Sequence, residues 1–165
     1  MNDYNERLKY SEDVASVFKI VRDVVENKFN RRRDDLVLEF DPLLPLPVKA
    51  IHKTDSNIIV LNKSIIGVVS SLANTKLELN SYIFWVLLHE YLHSLGIRGE
   101  SDVASLARDI IEEFLGVKQP AALIAHKGLS YFGLRGRIFS AFLTISYLLR
   151  RKQIHRIVVM IASKG

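Results

Sequence analysis

The sequence predicts an α+β fold, and three observations carry that expectation. Long segments such as "SEDVASVFKIVRDVVENKF" and "SDVASLARDIIEEFLG" repeat apolar residues at helical spacing. Three short segments, "LVLEF", "VKAIH" and "NIIVLN", read instead as strands. The chain has 165 residues, 48% of them hydrophobic and 25% charged, which is about one domain's worth of globular composition and enough to bury a core.

In chain order, Val14, Val17, Phe18, Val21, Val24 and Val25 share one face of a first amphipathic helix, with Ser11 as its expected N-cap and acids behind it. "LVLEF" (36–40) alternates and reads as a strand, and "DPLLPLP" is a proline-stiffened link. "VKAIH" and "NIIVLN" flank the turn signal "KTDS" and so suggest a hairpin. "KSIIGVVSSLA" reads as a helix. "SYIFWVLLHEYLHSLG" reads as another, with Asn80 or Ser81 as cap and Gly96 as stop. Seven consecutive apolar residues, Tyr82 to Leu88, imply that this helix is buried on most sides. "SDVASLARDIIEEFLG" follows, capped by Ser101 and closed by Gly116. Beyond it, "GRIFSAFLTISYLLRRKQ" reads as a helix and "IHRIVVMIAS" as a strand or its continuation.

The absence of cysteine excludes disulfides, thiolate zinc sites and cysteine nucleophiles, and fits a reducing, cytoplasmic setting. The polar start "MNDYNERLKYSEDVASVF" has neither the basic nor the apolar region of a signal peptide. The uncharged run "IFSAFLTISYLL" has 12 residues, fewer than the roughly 20 that a spanning helix needs. The net charge of +5 is unevenly placed: residues 1–113 carry −4, whereas residues 114–165 carry nine Lys/Arg and no acid. The expected organisation is a catalytic domain over 1–117 and a basic, apolar C-terminal segment over 118–165.

Chemistry concentrates in "HEYLHSLGIRGE", residues 89–100. His89 and His93 stand four apart, so they share one helix face with Cβ atoms about 5–6 Å apart. Two imidazole nitrogens, each about 2.1 Å from one ion, fit that gap. Glu90 points beside the ion rather than at it, where it can take a proton from an ion-activated water without being a ligand.

These residues resemble the zincin metallopeptidases. The resemblance rests on "HEYLHSLG", preceded by the strand "NIIVLN", a helix and the lead-in "FWVLLHEYLH", and covers roughly residues 36–116. It implies a small mixed sheet, an active-site helix beneath a cleft, and an edge strand along the cleft's upper rim. Carried over by position, His89 and His93 look like zinc ligands, Glu90 like the general base, and Gly96 like the turn glycine of the HExxHxxG subset. Metzincins place a histidine or aspartate where this chain has Gly99, so the third ligand must come from elsewhere. Gluzincins use a glutamate on a following helix, which is the better match, though with a shorter gap here.

Phase separates the candidates for that third ligand. Val103, Ala107, Ile110, Ile111 and Phe114 form the apolar stripe of the next helix, and one turn back along it lies Glu100. Asp102 falls off the stripe and suits the helix N-terminus. Glu112 and Glu113 belong to a charged face; His126 and His155 are further alternatives. His52 reads as a surface histidine, and Phe84 and Trp85 as core. Tyr131, Tyr147, His126 and His155 are open candidates for transition-state stabilisation. "NRRRDD" reads as a solvated helix end, with nucleic acid an unlikely partner because no aromatic residues interleave.

The expectation is therefore a zinc-dependent peptidase that cleaves peptide bonds with ion-activated water, Glu90 as base, and His89, His93 and Glu100 as ligands to Zn²⁺. The rival readings are a metal-binding regulatory module without turnover, and a membrane-associated basic protein. The substrate backbone is expected to add as a strand along "NIIVLN". The tail is expected to pack on the acidic part, shielding the cleft or joining a homodimer, with a membrane surface as the alternative.

Overall fold

A computed structural model describes residues 3–45 and 47–133. The expectations placed on the tail beyond them, with Tyr147 and His155, lie outside the described residues. The architecture is α+β, with six α-helices, a three-stranded mixed sheet and a closing 3₁₀ turn among the described residues.

Helix α1, Tyr4–Tyr10, precedes the first expected helix. It is short and polar, and only Tyr4 and Leu8, one turn apart, are buried. Ser11 closes this helix rather than capping the next, with its Oγ–H donating to the Arg7 carbonyl at 2.8 Å. Helix α2, Val14–Phe29, is capped by Asp13, whose carboxylate accepts the Ser16 N–H at 2.7 Å. Its buried face is Val17, Phe18, Ile20, Val21, Val24 and Val25, close to the stripe read from the sequence.

The sheet holds β1 (Val37–Asp41), β2 (Ala50–His52) and β3 (Ile58–Asn62) in the order β1-β3-β2. β2 and β3 form the expected antiparallel hairpin, and β1 runs parallel to β3. "NIIVLN" is therefore the central strand and offers no edge, which corrects the expected docking strand. Ile59, Val60 and Leu61 are all buried because neighbours cover both faces and both sides of β3. The edges are β1 and β2, and the one beside α4 is β2. The Lys49 carbonyl accepts the Asn62 N–H and the Lys53 N–H donates to the Ile58 carbonyl, so residues 49, 51 and 53 turn their backbones toward β3. Ala50 and His52 consequently turn theirs outward.

Helix α3, Lys63–Leu72, starts at Asn62, whose side chain accepts from Ser64 and Ile65 N–H and donates to the Val48 carbonyl. Helix α4, Lys76–Ser94, is the axis of the molecule: it touches β2 and each of α1, α2, α3, α5 and α6. That setting explains why its middle is apolar on nearly every side. It begins earlier than expected, at a Thr75 cap that accepts the Glu78 N–H at 3.2 Å, while Glu78 in turn accepts the Asn74 N–H. Asn80, expected as the cap, is instead buried inside α4 and donates to the carbonyls of Leu8 (2.7 Å) and Ser11 (2.9 Å).

Helix α5, Glu100–Phe114, has Gly99 rather than Ser101 at its N-cap and buries Val103, Ala107, Ile110 and Ile111. Helix α6, Pro120–Lys127, packs on α4 and α5, and its Ala121, Ala122 and Ile124 are fully buried. The hydrophobic core thus runs past residue 117 and takes in α6. The 3₁₀ turn Gly128–Phe132 sets Phe132 edge-on against Tyr82. Among the described residues no helix is long and apolar enough to cross a membrane.

Asn80 ties the end of α1 to the central helix through two bonds made in a dry setting. Each neutral bond is worth about 1 kcal/mol; the Leu8 carbonyl also accepts the Ser11 N–H at 3.3 Å, so only the Ser11 carbonyl would lose its partner, at about 1–3 kcal/mol. Asn80→Ala is expected to lower the unfolding free energy by about 2–4 kcal/mol in urea titration, and a loss below about 0.5 kcal/mol would show that the tie is not structural.

Candidate metal centre

The centre is built by a turn. Helix α4 ends at Leu95, and the next residue, Gly96, has φ +96°, a left-handed conformation that glycine adopts without strain. The Gly96 N–H donates to the His93 carbonyl (3.0 Å) and the Ile97 N–H to the Leu92 carbonyl (3.4 Å). This is the Schellman pattern, which satisfies carbonyls that the end of a helix leaves open. It also brings the Ile97 carbonyl back to His93, 2.8 Å from Nδ1. A carbonyl only accepts, so Nδ1 carries the proton, and the lone pair of the neutral ring is left on Nε2.

His89, His93 and Glu100 come together around one point. His93 Nε2 lies 3.2 Å from His89 Nε2, Glu100 Oε2 lies 3.1 Å from His89 Nε2, and Glu100 Oε1 lies 3.2 Å from His93 Nε2. Two donors on a tetrahedral ion, each about 2.0–2.1 Å from it, lie about 3.3–3.4 Å apart. The three separations are thus those of donors to one small ion. Two imidazoles and a carboxylate are also a donor set that suits a borderline divalent metal ion. The imidazoles are half-buried, whereas the Glu100 side chain is 81% exposed, so the centre opens toward solvent on the carboxylate side.

The other candidate ligands lie outside the trio. Asp102 folds back over Gly99: a Cβ placed on Gly99 would collide with Asp102 Oδ2. Glu113 pairs with Lys28 at 2.5 Å, and Glu112 with His126 at 2.5 Å. His52 donates from Nε2 to the Ser56 carbonyl at 3.1 Å within its own hairpin. Two of the three "NRRRDD" arginines are neutralised locally: Arg32 pairs with Asp23, Glu26 and Asp34, and Arg33 with Asp35.

Glu90 is buried beside the trio, and its Oε2 accepts the outward His52 N–H of β2 at 2.7 Å. Burial pushes its carboxyl above the usual glutamate range, and the His52 N–H partly offsets this. Burial likewise lowers the proton affinity of His89, against the opposing pull of Glu100. The trio and Glu90 line an open cleft of about 1540 Å³, walled on one side by β2 and floored by α4.

Two cleft residues escape a reading of the sequence. Trp85, read as core, is half-buried, lines the cleft one turn before His89, and carries the Lys49 ammonium 5.4 Å from its ring centroid. Only the helical spacing of Trp85 from His89 signals this; a lysine ahead of a strand signals nothing. No protein-family model, curated protein or solved structure matches the chain, so no relative identifies a family for it.

A divalent ion that binds this preformed trio is expected to stabilise the fold, by about 2.7 kcal/mol at a hundredfold excess over its Kd. Thermal unfolding with and without Zn²⁺ measures this. His93→Ala should abolish the gain and Asp102→Ala should keep it. Gly96→Ala should lower stability by about 1–2 kcal/mol and, by moving the Ile97 carbonyl, weaken metal affinity about 10-fold or more in calorimetric titration.

Proposed function

We propose that the protein is a zinc-dependent peptidase of zincin-like plan. The observation that carries this reading is the convergence of His89, His93 and Glu100 at ligand separations, with the buried carboxylate of Glu90 beside them in an open cleft. When bound there, a zinc ion supplies a Lewis acid that polarises a carbonyl and acidifies water.

The chain's own residues supply the rest. His93 is held in the ligating tautomer by Ile97, and Glu100 reaches the imidazoles from the first turn of α5. Glu90 takes the proton of the attacking water and passes it to the leaving amine. Its Oε2 is occupied by the His52 N–H, so the transfer falls to Oε1. A raised carboxyl pKa makes Glu90 a stronger base than an exposed glutamate.

An extended peptide fits along the outer edge of β2, where the Ala50 N–H and C=O and the His52 C=O face the cleft. Main-chain pairing of that kind selects extended backbone and tolerates many side chains.

Glu90→Gln is nearly isosteric and removes the base. It is expected to keep the fold and the zinc stoichiometry while hydrolysis of peptide substrates falls by about 10²–10⁴. Equal activity in the variant would overturn the mechanism. A zinc-loaded wild-type protein that cleaves no peptide would favour the reading of a metal-binding module without turnover.

A further inference from the structure

The cleft carries a cation that the proposed chemistry does not use. Lys49 stands immediately before β2 and lines the cleft. Its ammonium sits over the Trp85 ring, 5.4 Å from the centroid, and it makes no ion pair among the described residues. Other basic side chains nearby are neutralised: Lys53 by Glu39 and Arg33 by Asp35. Arg98 also lines the cleft without an ion pair, but it is exposed and no ring holds it.

Two contacts fix where Lys49 lies relative to the proposed chemistry. The His52 N–H sits on Glu90, and the Lys49 ammonium sits on Trp85. Three residues of strand from 49 to 52 span about 10 Å. Five residues of helix from 85 to 90 span about 7.5 Å. Strand β2 and helix α4 therefore run side by side in the same direction, with the lysine and the carboxylate at matching ends. An extended peptide covers that separation in two to three residues.

Resting on the peptidase reading above, we infer that Lys49, held over Trp85, is a carboxylate-binding subsite two to three residues from the scissile bond. The ring orders the ammonium and leaves its other N–H groups to a ligand. A carboxylate placed there makes a charge-assisted bond inside a cleft, where field lines are concentrated. The carboxylate comes either from an acidic side chain or from a free C-terminus. A neutral or basic group at that place leaves the cation without a partner.

Trp85 is the sole tryptophan of the chain, so tryptophan emission reports on the cleft at this position. The experiment titrates the zinc-loaded protein, wild type and Glu90→Gln, with three sets of synthetic peptides. One set is amidated with a single Glu moved along an Ala/Ser background, one is the neutral background with a free C-terminus, and one is the neutral background amidated. Saturable emission changes at about 5–20-fold lower concentration for a carboxylate-bearing set than for the neutral amidated peptide are expected. A preference for one Glu register identifies a side chain as the source, and a preference for the free C-terminus identifies the terminal group. Lys49→Met should erase the preference, Lys49→Arg should restore it, and Lys49→Glu should reverse it, so that the carboxylate-bearing sets bind more weakly than the neutral amidated peptide. Equal binding of the neutral amidated set, no emission change with any peptide, or an unchanged preference in Lys49→Met would overturn the subsite. Lys49-dependent binding without hydrolysis would leave the subsite standing and remove the peptidase reading; hydrolysis without charge preference would do the reverse.

Discussion

The hydrogen bond from His93 Nδ1 to the Ile97 carbonyl is the contact on which the rest of the cleft depends. It exists because Gly96 takes a left-handed conformation that closes α4 and turns the chain back on itself. The same turn aims the chain at Gly99, which opens α5, so Glu100 arrives at the first helical position opposite the two imidazoles. One backbone reversal thus ends a helix, selects a tautomer and delivers a carboxylate. None of these three effects survives a different geometry at Gly96.

The turn holds its place because α4 cannot move. Tyr91 shows how the restraint works. Its ring lies edge-on to Phe18 of α2, and its hydroxyl accepts the Arg33 N–H at 2.6 Å, so one side chain ties α4 to the segment leading into β1. Arg33 adds a second tie by donating from its guanidinium to the Ser94 carbonyl. At the other end of the helix, Asn80 holds the chain that follows α1. Between these points Phe84, Leu87, Leu88 and Leu92 are fully buried, each worth about 1.5–3 kcal/mol of transfer free energy. The two histidines project from this fixed axis at the one stretch where its face meets the cleft.

What is legible in the sequence follows from which physical rules are local. Helical periodicity is rigid, so the four-residue spacing of His89 and His93, and the phase of α5 that singles out Glu100, can be read from residue order alone. The exclusion of Asp102 from the trio cannot, because it rests on a side-chain direction over Gly99. Alternation announces a strand but not its neighbours. The order β1-β3-β2 emerges only in three dimensions, although the unbroken apolar run Ile58 to Leu61 carries the mark of a strand covered on both faces. Helix α1 is hard to read because seven mostly polar residues bury too little to show a stripe. The Thr75…Glu78 pair is itself a capping signal, but Asn80 is an equally good cap residue by type, and only its burial reveals that its amide serves the core instead.

The exposure of Glu100 bears on how an ion would come and go. Two of the three donors ride on α4, which is packed by five other helices and β2, whereas the third stands in solvent on the opening turn of α5. A carboxylate so placed can swing away by side-chain rotation alone, so that only His89 and His93 would hold an ion there. Occupancy would then follow the free concentration of each metal in the surroundings rather than a slow, one-time loading. Under such rapid exchange the strongest competitor available occupies the site, in the general order of divalent affinities that peaks at copper. The protein would thus be sensitive to the metal pool of its compartment without having to unfold.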